Sequence, residues 1–136
     1  MDNQFLRNEM LWGQEGQRRL AASHVILLGL GGVGSYAAEC LARSGIGELT
    51  LVDSDTVSVT NLNRQLIATR KTVGQYKVDA MEQRLHDINP NVEIHTYKMF
   101  YMPDTADQVD LTQYDYVVDA VDTVTVSVAH RILGLK

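Results

Sequence analysis

The sequence predicts an α/β fold of the Rossmann type, with a doubly wound and mainly parallel sheet. The apolar run at residues 24–28 has the length and composition of a strand buried on both faces of a parallel sheet. A glycine-rich segment, residues 29–34 (GLGGVG), follows this run directly, and a stretch with helical spacing follows the glycines. Further strand-like and helical runs then alternate along the chain, which is the order typical of doubly wound sheets.

The spacing of apolar residues predicts each element in turn. Helical spacing is present at residues 8–21, 35–44, 75–88 and 123–133, and strand-like runs at 24–28, 48–52, 92–97 and 114–121. Gly13 and Gly16 weaken the first helix, Gly45 ends the second, and Asn89-Pro90 ends the third. Residues 54–72 are polar and irregular, and residues 103–111 form a short helix or a loop.

The composition is that of one globular domain, residues 1–136, with 45% hydrophobic and 21% charged residues. The N-terminus has no secretory pattern, and no apolar run is long enough to span a bilayer. Cys40 is the single cysteine, which excludes an internal disulfide. We therefore expect a cytoplasmic protein without a membrane segment. The net charge of −5 argues against broad electrostatic attraction to nucleic acid.

Structural roles are expected for the second helix and for the cysteine and histidine side chains. On the helix after the glycines, Val33, Ala37 and Leu41 share one face, and Cys40 is expected to pack in the core beside them. The four histidines show no metal-ligand spacing along the sequence.

Gly29-x-Gly31-x-x-Gly34 has the position of a nucleotide-binding fingerprint, after a strand and at the start of a helix. Gly29 allows the tight turn, Gly31 lets the backbone approach a ligand, and Gly34 lets the helix pack close to the strand. The free amides and the helix dipole then favour an anion. Asp53 ends the second strand, where a carboxylate holds ribose hydroxyls; a loop cap is the alternative role.

Charged residues beyond the fingerprint favour a triphosphate over a dinucleotide. Between Thr56 and Val78 there is no Asp or Glu, and the cations are Arg64, Arg70, Lys71 and Lys77. Arg64 and Lys77 are suited to neutralise a triphosphate. Asp122, at the end of the last predicted strand, is suited to hold Mg²⁺. We predict ATP and Mg²⁺ as the cofactors.

These residues together resemble the ubiquitin-activating-enzyme-like adenylyltransferases over nearly the whole chain. The matching pieces are Arg7-Asn8, Gly29 to Gly34, Asp53-x-Asp55, Asn61-Leu62-Asn63-Arg64-Gln65, Thr72-Val73-Gly74-Gln75-x-Lys77 and Asp119-x-x-Asp122. Within that superfamily, residues 5–13, 42–47 and 114–125 most resemble the bacterial enzymes that cyclise threonylcarbamoyladenosine in tRNA. Members of the family continue well beyond Asp122, so the resemblance implies a fold truncated at the C-terminus.

The resemblance implies an ATP-dependent ligase-type reaction on tRNA, in which the threonylcarbamoyl carboxylate is adenylated and ring closure expels AMP. The implied nucleotide contacts are Gly32 and the loop amides on phosphate, Asp53 on ribose, Asn61 and Arg64 beside the phosphates, and Lys77 on phosphate. Gln65 is a further implied cofactor-binding residue. Asp122 would bind magnesium. Arg7 would enter the triphosphate site of a partner subunit, which implies a homodimer with Arg7, Arg64, Lys77 and Asp122 as the catalytic set. A sulfur-relay protein is a further candidate partner.

Three other functions stay open at this point. Adenylation of the C-terminus of a ubiquitin-like sulfur-carrier protein uses the same pattern of Arg64, Lys77 and Asp122. An NAD-dependent oxidoreductase uses the same glycine loop. A non-catalytic nucleotide-binding or dimerisation fragment needs neither the cations nor the acid.

Overall fold

A computed structural model describes residues 3–101 and 106–121 of the chain. The helices are α1 (Leu6–Ala21), α2 (Gly34–Ser44) and α3 (Lys77–Ile88), and the strands are β1 (His24–Leu28), β2 (Glu48–Val52), β3 (Glu93–Tyr97) and β4 (Tyr116–Asp119). Short 3-10 helices cover Val59–Asn63, Ala106–Gln108 and Leu111–Gln113. The predicted α/β class is confirmed. The helix expected at residues 123–133 lies outside the described residues.

The four strands form one sheet in the order β3-β2-β1-β4. Each neighbouring pair in it is parallel. The chain moves outward from β1 through β2 to β3 and then returns to the other side of β1 as β4. The strand order therefore reverses beside β1, and in open α/β sheets ligands bind at the carboxyl ends of the strands at such a point.

The core lies on both faces of this sheet. On one face, apolar side chains of β1 and β2 pack against the two helices that follow them, and the members include Leu27, Leu51, Ala38, Ala42, Val78, Met81 and Leu85. On the other face, Ile26, Leu28 and Val52 pack against Tyr101, Val109 and Leu111. Both faces of β1 are thus buried, as a parallel central strand requires.

Helix α1 is bent at Gly13, whose φ of 76° and ψ of 171° are not helical. Beyond the bend, the Gln17 amide donates to the carbonyl of Ser44 at 2.8 Å. Before it, the Asn8 amide donates to the carbonyl of Arg43 at 3.1 Å. Both bonds hold α1 against the C-terminal end of α2, at the amino-terminal edge of the sheet. None of the helices within residues 3–101 and 106–121 has the length and apolar character needed to cross a bilayer.

The expected orientation of α2 is wrong in part. Val33 is 73% exposed, and Cys40 is exposed rather than packed in the core. The buried face of this helix consists of its smallest side chains, Gly34, Ser35, Ala38 and Ala42. Because small residues let the helix approach the sheet closely, they form the contact, while Ala37 and Leu41 pack only at its margin.

Helix α3 begins two residues later than expected. Tyr76 is extended, with φ of −62° and ψ of 137°, and it forms an isolated antiparallel bridge with Thr56. The bridge takes residues 75 and 76 out of the helix and leaves Lys77 as its first residue.

Gly34→Ala is expected to lower the free energy of unfolding by about 1–3 kcal/mol. A Cβ at Gly34 would overlap the carbonyl oxygen of Gly29 and force the helix away from the strand. Gly32→Ala is the matched control, because its nearest neighbour would be Arg64 Cγ at 3.7 Å, an ordinary contact. Urea denaturation measures both. Equal midpoints for the two variants would contradict this packing.

Candidate functional site

A cleft of about 300 Å³ lies at the carboxyl ends of β1, β2 and β4. Its walls are formed by Gly29, Gly31, Asp53, Asp55, Asn61, Arg64, Gln65, Lys77, Phe100, Ala120 and Val121. The fold thus brings residues that are far apart in sequence to the edge of the sheet where the strand order reverses.

The glycine turn forms the floor of the cleft, between β2 and β4. The Gly29 amide donates to the carbonyl of Val52 at 2.8 Å. Gly29 has a φ of 95°, and a Cβ there would lie 2.9 Å from the carbonyl oxygen of Ala120. Only glycine fits this turn without strain. Helix α2 starts five residues later with no side-chain cap. The Ser35 amide donates to the Gly31 carbonyl at 3.2 Å, and the other amides of the first turn are suited to an anion.

Asp53 holds the glycine turn in place. Its Oδ2 accepts a hydrogen bond of 2.8 Å from the amide of Leu30, and its Oδ1 accepts one of 2.8 Å from the amide of Asp55. The carboxylate therefore has the loop-capping role that was the alternative for this residue. Each carboxylate oxygen can accept a second bond, so this capping leaves capacity for a ligand hydroxyl.

Lys77 supplies a largely buried cation to the wall of the cleft. Its side chain is 7% exposed, and its Nζ lies 3.9 Å from Oδ2 of Asp55. The Lys77 amide also donates to the Asp55 carbonyl at 3.0 Å, which fixes the start of α3 beside the loop. At 3.9 Å the ion pair is long, and a buried ammonium gains more from closer anionic oxygens.

The segment after β2 forms another wall of the cleft. Asn61 is buried, and its Oδ1 accepts from the amide of Ser58 at 2.8 Å, which closes the 3-10 turn. Gln65 is 7% exposed, and its Oε1 has no hydrogen-bond partner among the described residues. Arg64 is exposed, and its guanidinium donates to Asn63 Oδ1 at 2.9 Å. The buried amide oxygen of Gln65 and the exposed guanidinium of Arg64 are both suited to bind a polar ligand.

Other residues named from the sequence lie elsewhere. Arg70 and Lys71 do not line the cleft, so only Arg64 and Lys77 of the cationic stretch meet there. Arg7 is exposed on α1, whose neighbouring Asn8 bonds the C-terminal end of α2, opposite the cleft. Asp122 lies outside the described residues; the chain is described as far as Val121, which lines the cleft.

Phe100 lines the cleft and was missed in the sequence. It follows β3 by three residues, and the carboxyl end of that strand meets the same edge as the other site residues. An aromatic residue just after a strand of a parallel sheet is the signal that could have identified it.

Comparisons with known proteins identify relatives of this chain. A model of the ThiF family matches residues 5–132. The chain is 54% identical over 124 residues to the tRNA threonylcarbamoyladenosine dehydratase of Bacillus subtilis (strain 168), covering 91% of this chain and 49% of that protein. It is 40% identical over 112 residues to the molybdopterin-synthase adenylyltransferase of Escherichia coli (strain K12), covering 82% of this chain and 45% of that protein.

Among solved structures, the E. coli tRNA N6-threonylcarbamoyladenosine dehydratase in complex with ATP matches with a TM-score of 0.92 and 40% identity. The match covers 97% of this chain and 56% of that one. The chain spans about half the length of the curated relatives it matches.

Proposed function

The chain belongs to the ThiF family, and from this we propose that it binds Mg²⁺-ATP in the cleft and serves the cyclisation of threonylcarbamoyladenosine in tRNA. The family is the one that the resemblance to ubiquitin-activating-enzyme-like adenylyltransferases predicted. The observation that carries the proposal is the convergence of the glycine turn, Arg64 and Lys77 on one cleft. A polyphosphate is the ligand that needs such a set of donors and cations together.

Each side of the cleft is suited to bind a different part of the nucleotide. The amides around Gly31 and Gly32 and the first turn of α2 would face the phosphates. Lys77 would give up its long contact with Asp55 for phosphate oxygens, and Arg64 would close over them from the surface. Gly31 and Gly32 have no side chain to keep the phosphates from the backbone.

The ribose and the base would lie on the other side of the cleft. Asp53 retains acceptor capacity for ribose hydroxyls beside its bonds to Leu30 and Asp55. On the phosphate side, Asn61 and Gln65 add amide groups, and Oε1 of Gln65 has no hydrogen-bond partner among the described residues. On the ribose side, Phe100 offers an aromatic ring. Aromatic rings bind bases by stacking.

The proposed reaction is adenylation followed by ring closure. A carboxylate oxygen of the threonylcarbamoyl group forms a bond to the α-phosphorus, the bond from that phosphorus to the bridging oxygen breaks, and pyrophosphate leaves with the electron pair. A nucleophilic atom of the same threonylcarbamoyl group then forms a bond to the activated carboxyl carbon, and one proton is released to solvent. The bond from that carbon to the adenylate oxygen breaks, and AMP leaves with the electron pair. Arg64 and Lys77 would stabilise the charge that develops on the phosphate oxygens. Mg²⁺ held by Asp122 would supply further charge neutralisation.

Arg7 supports a homodimer within this proposal. Its neighbour Asn8 bonds the C-terminal end of α2, and Arg7 does not line the cleft of its own chain. In a symmetric dimer a residue on that side can enter the partner's cleft. Met10 and Leu11, one turn further along α1, are each 81% exposed, and burying them in a dimer would be favourable.

The first test is calorimetry of the chain with Mg²⁺-ATP and with NAD. We expect ATP to bind more tightly than NAD, and Arg64→Ala to weaken ATP binding by about 10-fold or more, because a charged hydrogen bond contributes about 1.5–3 kcal/mol. Arg70→Ala is the matched control, since Arg70 is exposed on the same segment but does not line the cleft. Tighter binding of NAD, or equal losses in both variants, would reverse the assignment.

The second test concerns the substrate. Mass spectrometry of tRNA nucleosides from cells that lack the gene is expected to show the uncyclised threonylcarbamoyladenosine in place of the cyclic form. Returning the full-length gene should restore the cyclic nucleoside, and the Arg64→Ala gene should not. Unchanged nucleosides together with loss of a sulfur-carrier product would favour adenylation of a sulfur-carrier protein instead.

A further inference from the structure

The sheet has a second group of ligand-type side chains, at the amino-terminal edge opposite the cleft. We propose that His24, Glu48 and His95 form a binding site for a zinc-class divalent metal ion. The three residues come from β1, β2 and β3, which are neighbours in the sheet. In the register, His24 pairs with Glu48, and His95 pairs with Thr50, two residues after Glu48. Because side chains alternate along a strand, all three lie on one face.

The side chains converge on a single carboxylate oxygen. Nδ1 of His24 lies 3.4 Å from Oε2 of Glu48, and Nε2 of His95 lies 2.7 Å from the same oxygen. The ligand atoms of the three residues all lie within 4.8 Å of one another. A tetrahedral zinc ion with bonds of about 2.0–2.1 Å holds its ligands roughly 3.3 Å apart. Small side-chain rotations would therefore bring the three groups to coordination distance.

The His24 ring is oriented for this role by a second hydrogen bond. Its Nε2 lies 2.7 Å from Oγ1 of Thr50, a fully buried residue. This bond leaves Nδ1 facing Glu48, and metal-binding histidines are commonly fixed through their other nitrogen in this way. Tyr114 packs edge-on against the same ring at 4.5 Å between centroids. Burial also lowers the pKa of His24, which favours the neutral imidazole that metals bind.

A proton shared between His95 and Glu48 explains the position of only one of the two imidazole rings. The 2.7 Å contact between His95 and Glu48 is a hydrogen bond by itself. The 3.4 Å contact from His24 Nδ1 to the same oxygen is too long for a strong one, yet the ring is held in that direction. Two imidazoles and one carboxylate form a ligand set typical of zinc sites with an open fourth position. Glu93, whose Oε1 lies 3.5 Å from His95 Nε2, is near enough to supply another oxygen.

Such an ion would link three strands at the edge remote from the cleft. A metal bound by residues of β1, β2 and β3 would therefore stabilise the sheet at this edge. This site is independent of the proposed function, because none of its residues lines the cleft.

The test is calorimetry of chelator-treated chain with Zn²⁺ alone, without nucleotide. We expect one ion to bind per chain at this edge, and His95→Gln to weaken that binding at least about tenfold. His86→Gln is the matched control, because the His86 ring contacts the carbonyl of Val92 and lies outside the cluster. Zinc should also raise the melting temperature of the wild type and of His86→Gln, but not of His95→Gln.

Glu48→Gln is the second variant, and it keeps the size of the side chain while removing the charge at the centre of the cluster. It should weaken zinc binding by a similar factor and leave Mg²⁺-ATP calorimetry unchanged. Zinc that binds to acidic side chains elsewhere would contribute the same heat to the titration of every variant. Wild-type chain that binds no zinc, or cluster variants that bind it as tightly as His86→Gln, would overturn the proposal.

Discussion

The carboxylate of Asp53 accepts hydrogen bonds from the amides of Leu30 and Asp55, and these two bonds join the glycine turn to the loop after β2. Through Leu30 it holds the glycine turn against the end of β2. Through Asp55 it shapes the loop whose carbonyl receives the Lys77 amide and whose carboxylate faces the Lys77 ammonium. The turn that presents amides and the lysine that presents charge are therefore positioned by one side chain.

The parallel sheet separates two kinds of chemistry at its two edges. At the carboxyl edge the strand order reverses beside β1, and the glycine turn, the start of α2 and Lys77 create a site suited to anions. At the amino edge the strands pair side by side in register, which places His24, Glu48 and His95 together on one face. An anion is favoured at the first edge and a cation at the second.

The parts of the fold that the sequence predicts well are those with a strong local signal. Residues 24–28 and 48–52 are short apolar runs between polar or glycine boundaries, and β1 and β2 have these limits. The positions of Arg64 and Lys77 in one cleft follow from the motif spacing and from the rule that strand ends collect ligands. The structural role of Asp53 is harder to predict from the sequence, because its hydrogen bond with Leu30 connects residues that are 23 positions apart.

The errors arise where tertiary packing decides. The buried face of α2 is marked by small residues rather than large ones, so helical spacing predicted a core position for Val33 and Cys40, which are exposed. The histidines show no ligand spacing in sequence because His24 and His95 meet only through the register of three strands. Neither the contact face of small residues on α2 nor the proximity of the two histidines produces a regular spacing along the sequence.

In the proposed function, a glycine turn held by Asp53 presents its amides to a polyphosphate. The most direct measurement is a titration of ¹⁵N-labelled chain with Mg²⁺-ATP, following the amide resonances of Gly31 and Gly32 in the wild type and in Asp53→Asn. Saturable shifts of both amides in the wild type, and markedly weaker ones in the variant, are the predicted result. Shifts concentrated around His24 and Glu48, or identical titrations of the two proteins, would contradict it.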